Sequence, residues 1–305
     1  MSKRVHLAGV LFSVLFGFSF MFSKVALDFV MPIGLIAYRF MAAFLVLELL
    51  RWLNVVTIRF RKAHIKSIFI VAILQPVLYF LFEVYGLART TSSEAGMMIA
   101  LIPIFVTIFS AIILKERAKV MQIVFILLSV SGIIFIQIMQ ASSGVEVEIL
   151  GFLLLLGAVL SAALFTIASR YASVNVKAYE LTYFMMLFGA VTFNGIYLFV
   201  LFVEGRPFDY VSNLFFIELL VPILYLGVAA SIGGFFLVNY TLGKLEAHVS
   251  SIYANLATVT AILAGTFILR EPIFWYHYLG GVMIITGVYG TVRLNRGIKR
   301  MKTNG

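Results

Sequence analysis

Cysteine is absent from the 305 residues, so the chain has no disulfide framework, no Cys-based zinc site and no thiol nucleophile. Charge is scarce as well. Only 12% of the residues are Asp, Glu, Lys or Arg, against about a quarter in soluble globular chains, which excludes an ordinary soluble domain. The four histidines, His6, His64, His248 and His277, are scattered without carboxylates at metal-ligand spacing, so no metal site is expected. A glycine-rich loop ending in Lys-Ser or Lys-Thr is also missing. That removes a built-in ATP drive and leaves no cofactor to expect.

What is present is apolar: 63% of the residues, with a formal net charge of +10. Nucleic-acid binding would gather the basic residues on one polar face, and polar surface is too scarce for that, so no nucleic-acid partner is expected. Apolar runs of about 20 residues, each able to cross a hydrocarbon core as a helix, recur along nearly the whole chain. Ten are read: Val5–Asp28, Ile33–Leu53, Ile68–Leu87, Ser93–Leu114, Val120–Met139, Ile149–Arg170, Ala178–Val203, Leu214–Leu242, Ala247–Leu269 and Phe274–Arg293. Barrel strands would alternate in polarity, and Ile123-Val124-Phe125-Ile126-Leu127-Leu128 does not. The expected fold is therefore all-α, polytopic and embedded in the lipid bilayer. The first run follows Ser2-Lys3-Arg4 as a signal peptide would, yet it is long, carries Lys24 near its end and precedes nine more. It is read as a retained helix.

Lys and Arg accumulate in cytoplasmic loops. With the N-terminus inside, only Arg89, Arg206 and Arg270 of the 23 fall in outside connections, while Lys24 and Arg39 lie within spans. Both termini are thus placed in the cytoplasm of a multi-pass cell-membrane protein.

Helix four ends Ile113-Leu114-Lys115-Glu116-Arg117 and helix nine ends Ile268-Leu269-Arg270-Glu271-Pro272. Carried backward, that register pairs Tyr85 with Tyr240, Leu87 with Leu242 and Arg89 with Lys244, and a weaker echo pairs Ser23-Lys24 with Ser169-Arg170. Two five-helix repeats, residues 1–140 and 141–305, fit these matches. An odd repeat length inverts the second unit relative to the first, a signature of secondary transporters.

Ten spans as five plus five, the Phe16-Gly17-Phe18-Ser19-Phe20-Met21-Phe22-Ser23-Lys24 stretch, Arg39 in helix two, and Ala95 through Pro103 into the repeated Leu-basic-Glu ending resemble the EamA-type drug/metabolite transporter superfamily. Phe16 stands where that family often has Trp, and Thr258 stands at the position matching Pro103. The resemblance implies an inner-membrane carrier, commonly an exporter of amino acids or other small metabolites, with a central cavity between the halves.

Polar residues inside spans are the candidates for handling a solute, because an unpaired charge in hydrocarbon costs several kcal/mol. Lys24, Arg39 and Glu83 fall at similar depth, and Glu83 is expected to neutralise Arg39 or Lys24 as a gate or ligand site. The plainer readings are a structural Arg39–Glu83 ion pair and a Lys24 that snorkels to the headgroups. Gln75, Tyr79 and Glu83 are one helical turn apart on one face, with Pro76 able to open the backbone ladder beside them. In the second half Asn239, Tyr240, Tyr253 and Asn255 could bind an amphipathic solute, or simply bond between helices. Tyr38 and Tyr183 are weaker candidates. A small-residue stripe (Ser250, Ala254, Ala257, Ala261, Ala264) and the pair Gly280 and Gly287 suit close packing, although helix ten could instead face a second subunit. Monomer and homodimer therefore stay open. Glu48 is expected to pair with Arg51, and Glu94 to suit a helix N-terminus.

The function expected is a secondary transporter, not an enzyme. It would move a small solute by alternating access, with proton coupling through Glu83 as one possible drive. The rival class is a polytopic membrane enzyme acting on a lipid or isoprenoid. A receptor would ordinarily need an output domain, and only a short basic tail follows Arg293.

Overall fold

The computed structural model describes residues 3–58, 64–113, 120–142, 148–205, 216–245, 247–251 and 253–303. Every element among them is helical. In order they are α1 (Lys3–Leu27), α2 (Pro32–Trp52), α3 (Ile65–Ala72), α4 (Tyr79–Leu87), α5 (Ser92–Ile99), α6 (Ile102–Ile113), α7 (Val120–Ser142), α8 (Ile149–Ala172), α9 (Ala178–Val203), α10 (Ile217–Leu224), α11 (Phe235–Lys244), α12 (Ala247–Ser251), α13 (Ala254–Phe267) and α14 (Trp275–Thr303). Wide π-type turns at Ile73–Leu78 and Tyr225–Gly234 join α3 to α4 and α10 to α11. Seven helical stretches, some with internal breaks, are long and apolar enough to cross a membrane, and Ile123–Ile136 and Leu256–Phe267 are shorter apolar helices. The protein is a multi-pass, all-helical membrane protein.

Several expected spans are interrupted, and proline chemistry explains most of the breaks. Pro76 has no N–H to donate to Ala72, and beside it Gln75 leaves helical geometry altogether at φ −153°, ψ 114°. The expected fourth span divides between α5 and α6, with Pro103 in the first turn of α6, where a missing N–H is tolerated. Pro222 precedes the wide turns that lead into α11. The ninth span divides between Ser251 and Ala254, and α14 continues past Arg293 to Thr303. The first copy of the Leu-basic-Glu ending, Leu114 to Arg117, lies outside the described residues.

The core places α1 along α13, α2 along α9, α4 along α8 and α5 along α13. Ala257, Ala261 and Ala264 are buried, as a packing stripe requires. α7 pairs with α14 at the side of the bundle. Their backbones touch there: a Cβ added to Gly280 would lie 2.4 Å from Ile136 Cγ1 and 2.8 Å from the Gly132 carbonyl oxygen. In lipid such small-residue contacts supply the van der Waals packing that hydrophobicity does not.

Candidate functional site

A cavity of about 90 Å³ lies inside the bundle between α1, α2, α4 and the segments of α8 and α11 facing them. The break at Gln75–Pro76 brings Gln75 to its wall, and α4 continues that wall with Tyr79 and Glu83. All three are buried, as is Arg39 from α2, which lines the same space.

Arg39 is only 2% exposed. Its Nε donates to Ser231 Oγ at 2.8 Å, and its guanidinium carbon sits 4.3 Å from the centre of the Phe80 ring. A desolvated cation over an aromatic face gains roughly 2 kcal/mol, which offsets part of the cost of burying the charge. No carboxylate pairs with it among the described residues. Glu83 is equally buried at 2% exposure and forms no hydrogen bond or ion pair with any described residue. The Gln75 side chain likewise has no described hydrogen-bond partner. Buried polar groups normally have partners, because leaving them unmade costs about 1–3 kcal/mol each. Here the unmet groups face the cavity, where a solute or water would meet them.

Glu83 and Arg39 are not joined in a hydrogen-bonded ion pair, but each charge acts on the other. Arg39 shares the cavity without touching the carboxylate. Lys24 is turned elsewhere: its Nζ donates to the carbonyls of Leu87 at 3.0 Å and Thr90 at 2.5 Å, at the C-terminal end of α4, where the helix dipole favours a cation. Of the second-half candidates, Asn239, Tyr240 and Tyr253 fall outside the cavity wall. Asn239 is wholly buried and fully bonded, accepting from Ser169 Oγ at 2.8 Å and donating to Thr182 Oγ1 at 3.0 Å. Tyr240 stacks on Phe236 in a shallow outer groove with Arg4 and Leu7. Tyr253 bonds His6 Nδ1 through its hydroxyl at 2.5 Å. The side chain of Asn255 lies outside what the structure describes.

Tyr183 donates to Glu48, which also takes Arg51 in the expected pair, with Nε at 2.9 Å. Tyr38 is buried edge-on to Tyr197. Glu94 and Thr91 form a reciprocal cap at the start of α5. Among the described residues no group of His, Asp and Glu is arranged to hold a metal.

The sequence reading missed most of the apolar wall. Phe12, Phe16 and Phe20 recur every four residues along one face of α1 and line the cavity. Phe80, Phe165 and Phe235 complete it, with Phe235 5.2 Å from Phe16 and 6.0 Å from Phe80 between ring centres. The four-residue spacing in α1 was the available signal. Ser19 and Thr166 also reach the cavity, but their hydroxyls bond the carbonyls of Phe16 and Ala162 within their own helices, as many membrane serines and threonines do.

The EamA-like transporter family model matches this chain twice, over residues 3–138 and 149–293. The chain is 38% identical over 299 residues to Uncharacterized transporter YcxC of Bacillus subtilis (strain 168), covering 97% of this chain and 95% of that one. It is 29% identical to Uncharacterized transporter YetK of the same organism, covering 74% and 68%. Protein PagO of Salmonella typhimurium is 23% identical over 93% of this chain and 91% of its own. A solved crystal structure shares the fold with a TM-score of 0.68 at 16% identity, covering 96% of this chain and all of that one. The chain belongs to the EamA-like transporter family.

Proposed function

We propose that this chain is a secondary transporter that exports a small amphipathic solute, an amino acid or a close relative, across the cell membrane by alternating access. One observation carries the reading: Arg39 and Glu83, opposite in charge and not closed into a salt bridge with each other, face one aromatic-walled cavity. A zwitterion with an apolar side chain would meet the guanidinium with its carboxylate, Glu83 with its ammonium, and the phenylalanine wall with its body. Gln75 and Tyr79 would supply further hydrogen bonds.

Two inverted five-helix halves, residues 1–140 and 141–305, would exchange conformations to open the cavity to either side. The twofold family match supports the division. So does a recurring contact: Lys24 donates to the Leu87 carbonyl and Arg170 donates to the Leu242 carbonyl at 2.6 Å, residues that the sequence register pairs. The cavity volume of about 90 Å³ is small beside the roughly 300 Å³ of common ligand pockets. Loading a solute of that size requires the helices around it to part. Glu83 is the group that would exchange a proton for the solute, and the basic loops place both termini in the cytoplasm.

Counterflow in proteoliposomes against a panel of amino acids and related metabolites, with and without a pH gradient, tests this function. Saturable exchange of a zwitterion is the expected result. Inertness toward the whole panel, or turnover of an added lipid, would replace the transporter with the membrane-enzyme reading.

A further inference from the structure

The turn between α4 and α5 is gripped from two directions. From one side Lys24 takes the carbonyls of Leu87 and Thr90. From the other, the carboxylate of Glu271 accepts from Ser92 N at 2.7 Å, from Ser93 N at 3.0 Å and from Ser93 Oγ at 2.6 Å. Glu271 follows α13 and so belongs to the second half of the chain, whereas Ser92 and Ser93 belong to the first. The turn that delivers it is built for the task. Arg270 adopts a left-handed φ of 56°, and the Glu271 amide donates back to the Gly265 carbonyl at 3.0 Å. Gly265 leaves the space the carboxylate occupies: a Cβ there would lie 2.2 Å from Glu271 Oε2 and 2.4 Å from Ser93 Oγ.

At the opposite end of the bundle another contact joins the halves. His6 Nδ1 meets the Tyr253 hydroxyl, and Ser13 Oγ donates to the Tyr253 carbonyl at 2.6 Å. The cavity lies between these two ties.

We propose that the Glu271 grip on Ser92 and Ser93 and the His6–Tyr253 tie are opposing gates of the cavity, and that each must release for the cavity to open at its own end. This inference rests on the alternating-access reading and names the bonds that alternate. Glu271 gates by releasing the first turn of α5, and that release exposes amides that then need water. Tyr253, considered as a solute ligand from sequence, acts here as a latch. Glu94 also lies in this first turn, where it caps Thr91 within the same half.

The absence of native cysteine makes the test direct. A single reporter, Thr166→Cys on the cavity wall, is labelled with a charged, membrane-impermeant maleimide in sealed vesicles of each orientation. Glu271→Gln and Gly265→Ala should each raise labelling from the Thr90 face roughly tenfold or more, the scale of losing a charge-assisted hydrogen bond. Tyr253→Phe should raise labelling from the opposite face instead. Parent-like labelling from both faces in all three variants would overturn the proposal, as would shifts in which all three favour the same face. A readout on the chain without these gate variants covers any that fail to fold. Hydrogen exchange at the Ser92 and Ser93 amides should accelerate in step with Thr90-face labelling as temperature rises, and protection that persists while labelling climbs would also overturn it. Labelling is read without solute. Inert proteoliposomes would therefore sink the transport reading alone, and unchanged labelling beside normal transport would sink the gates alone.

Discussion

The first half of the chain contributes Arg39, Gln75, Tyr79 and Glu83 to the cavity wall, whereas the second half contributes Phe165, Thr166, Phe235, Val238, Ser250 and Ser251. Among the described residues only the first of these walls is ionisable. In the register that pairs Leu87 with Leu242, Phe80 corresponds to Phe235 and Glu83 to Val238. Both pairs line the cavity, and the two phenylalanine rings meet edge to face at 6.0 Å. In the proposed repeat, the matched phenylalanines would shape the chamber and the unmatched Glu83 would charge it. A solute held by two charges would be oriented against one wall and slide along the other.

The largest effect should come from making the walls alike. Glu83→Val, which copies Val238 into the first half, and Arg39→Gln should each lower zwitterion counterflow by about tenfold to a hundredfold, the worth of a hydrogen bond to a charged group. Glu83→Gln sharpens the point. That variant keeps a neutral hydrogen bond to the solute, so like-solute exchange should fall less than in Glu83→Val while the response to an imposed pH gradient is lost. Wild-type rates in all three variants, at normal levels of folded protein, would show that the charged wall is only scaffold.

Residues on and off the cavity wall should also divide binding from stability. Asn239 is buried and fully bonded, so Asn239→Ala strands the Ser169 hydroxyl, takes a donor from Thr182 and should cost about 1–3 kcal/mol of stability while leaving the affinity of the surviving protein unchanged. Gln75→Ala removes a side chain with no described partner, so it should leave the unfolding midpoint close to wild type. Affinity should fall by about two- to tenfold, one neutral hydrogen bond. Thermal unfolding in detergent, together with the concentration dependence of counterflow, separates the two. Reversed outcomes would move Asn239 into the site and Gln75 out of it.

The helices were legible in the sequence because a bilayer imposes both length and composition on them. The face shared by Gln75, Tyr79 and Glu83 was also legible, although Gln75 reaches the cavity through a broken turn rather than a continuous helix. Side-chain direction was not. Lys24 read as a partner for Glu83, but the carbonyls at the end of α4 compete for the ammonium and take it. Asn239 and Tyr253 read as ligands because an amide and a phenol in lipid need partners, and sequence could not show that those partners were Ser169, Thr182 and His6. The phenylalanine wall was hidden for the opposite reason: among 30 phenylalanines, those facing a cavity look the same as those facing lipid.

The smallest effect is expected at Tyr240, and it tests where the uncharged wall ends. The register pairs Tyr240 with Tyr85, so repetition retains a tyrosine in both halves, and a shared residue could mark a shared role in solute binding. The structure gives a plainer reason. Neither tyrosine lines the cavity, both are partly exposed, and Tyr240 lies against Phe236 at 6.3 Å in a groove that opens outward beside Arg4 and Leu11. A tyrosine at such a position places its ring among apolar groups and its hydroxyl toward a polar layer, which each half of a membrane bundle needs near its own surface. Tyr240→Phe and Tyr85→Phe should accordingly change stability by no more than about 0.5 kcal/mol and leave counterflow at the wild-type rate. A severalfold loss of transport in Tyr240→Phe alone would mean that the second half does supply a polar contact to the solute, and that the solute path extends beyond the chamber bounded by Phe235 and Leu242.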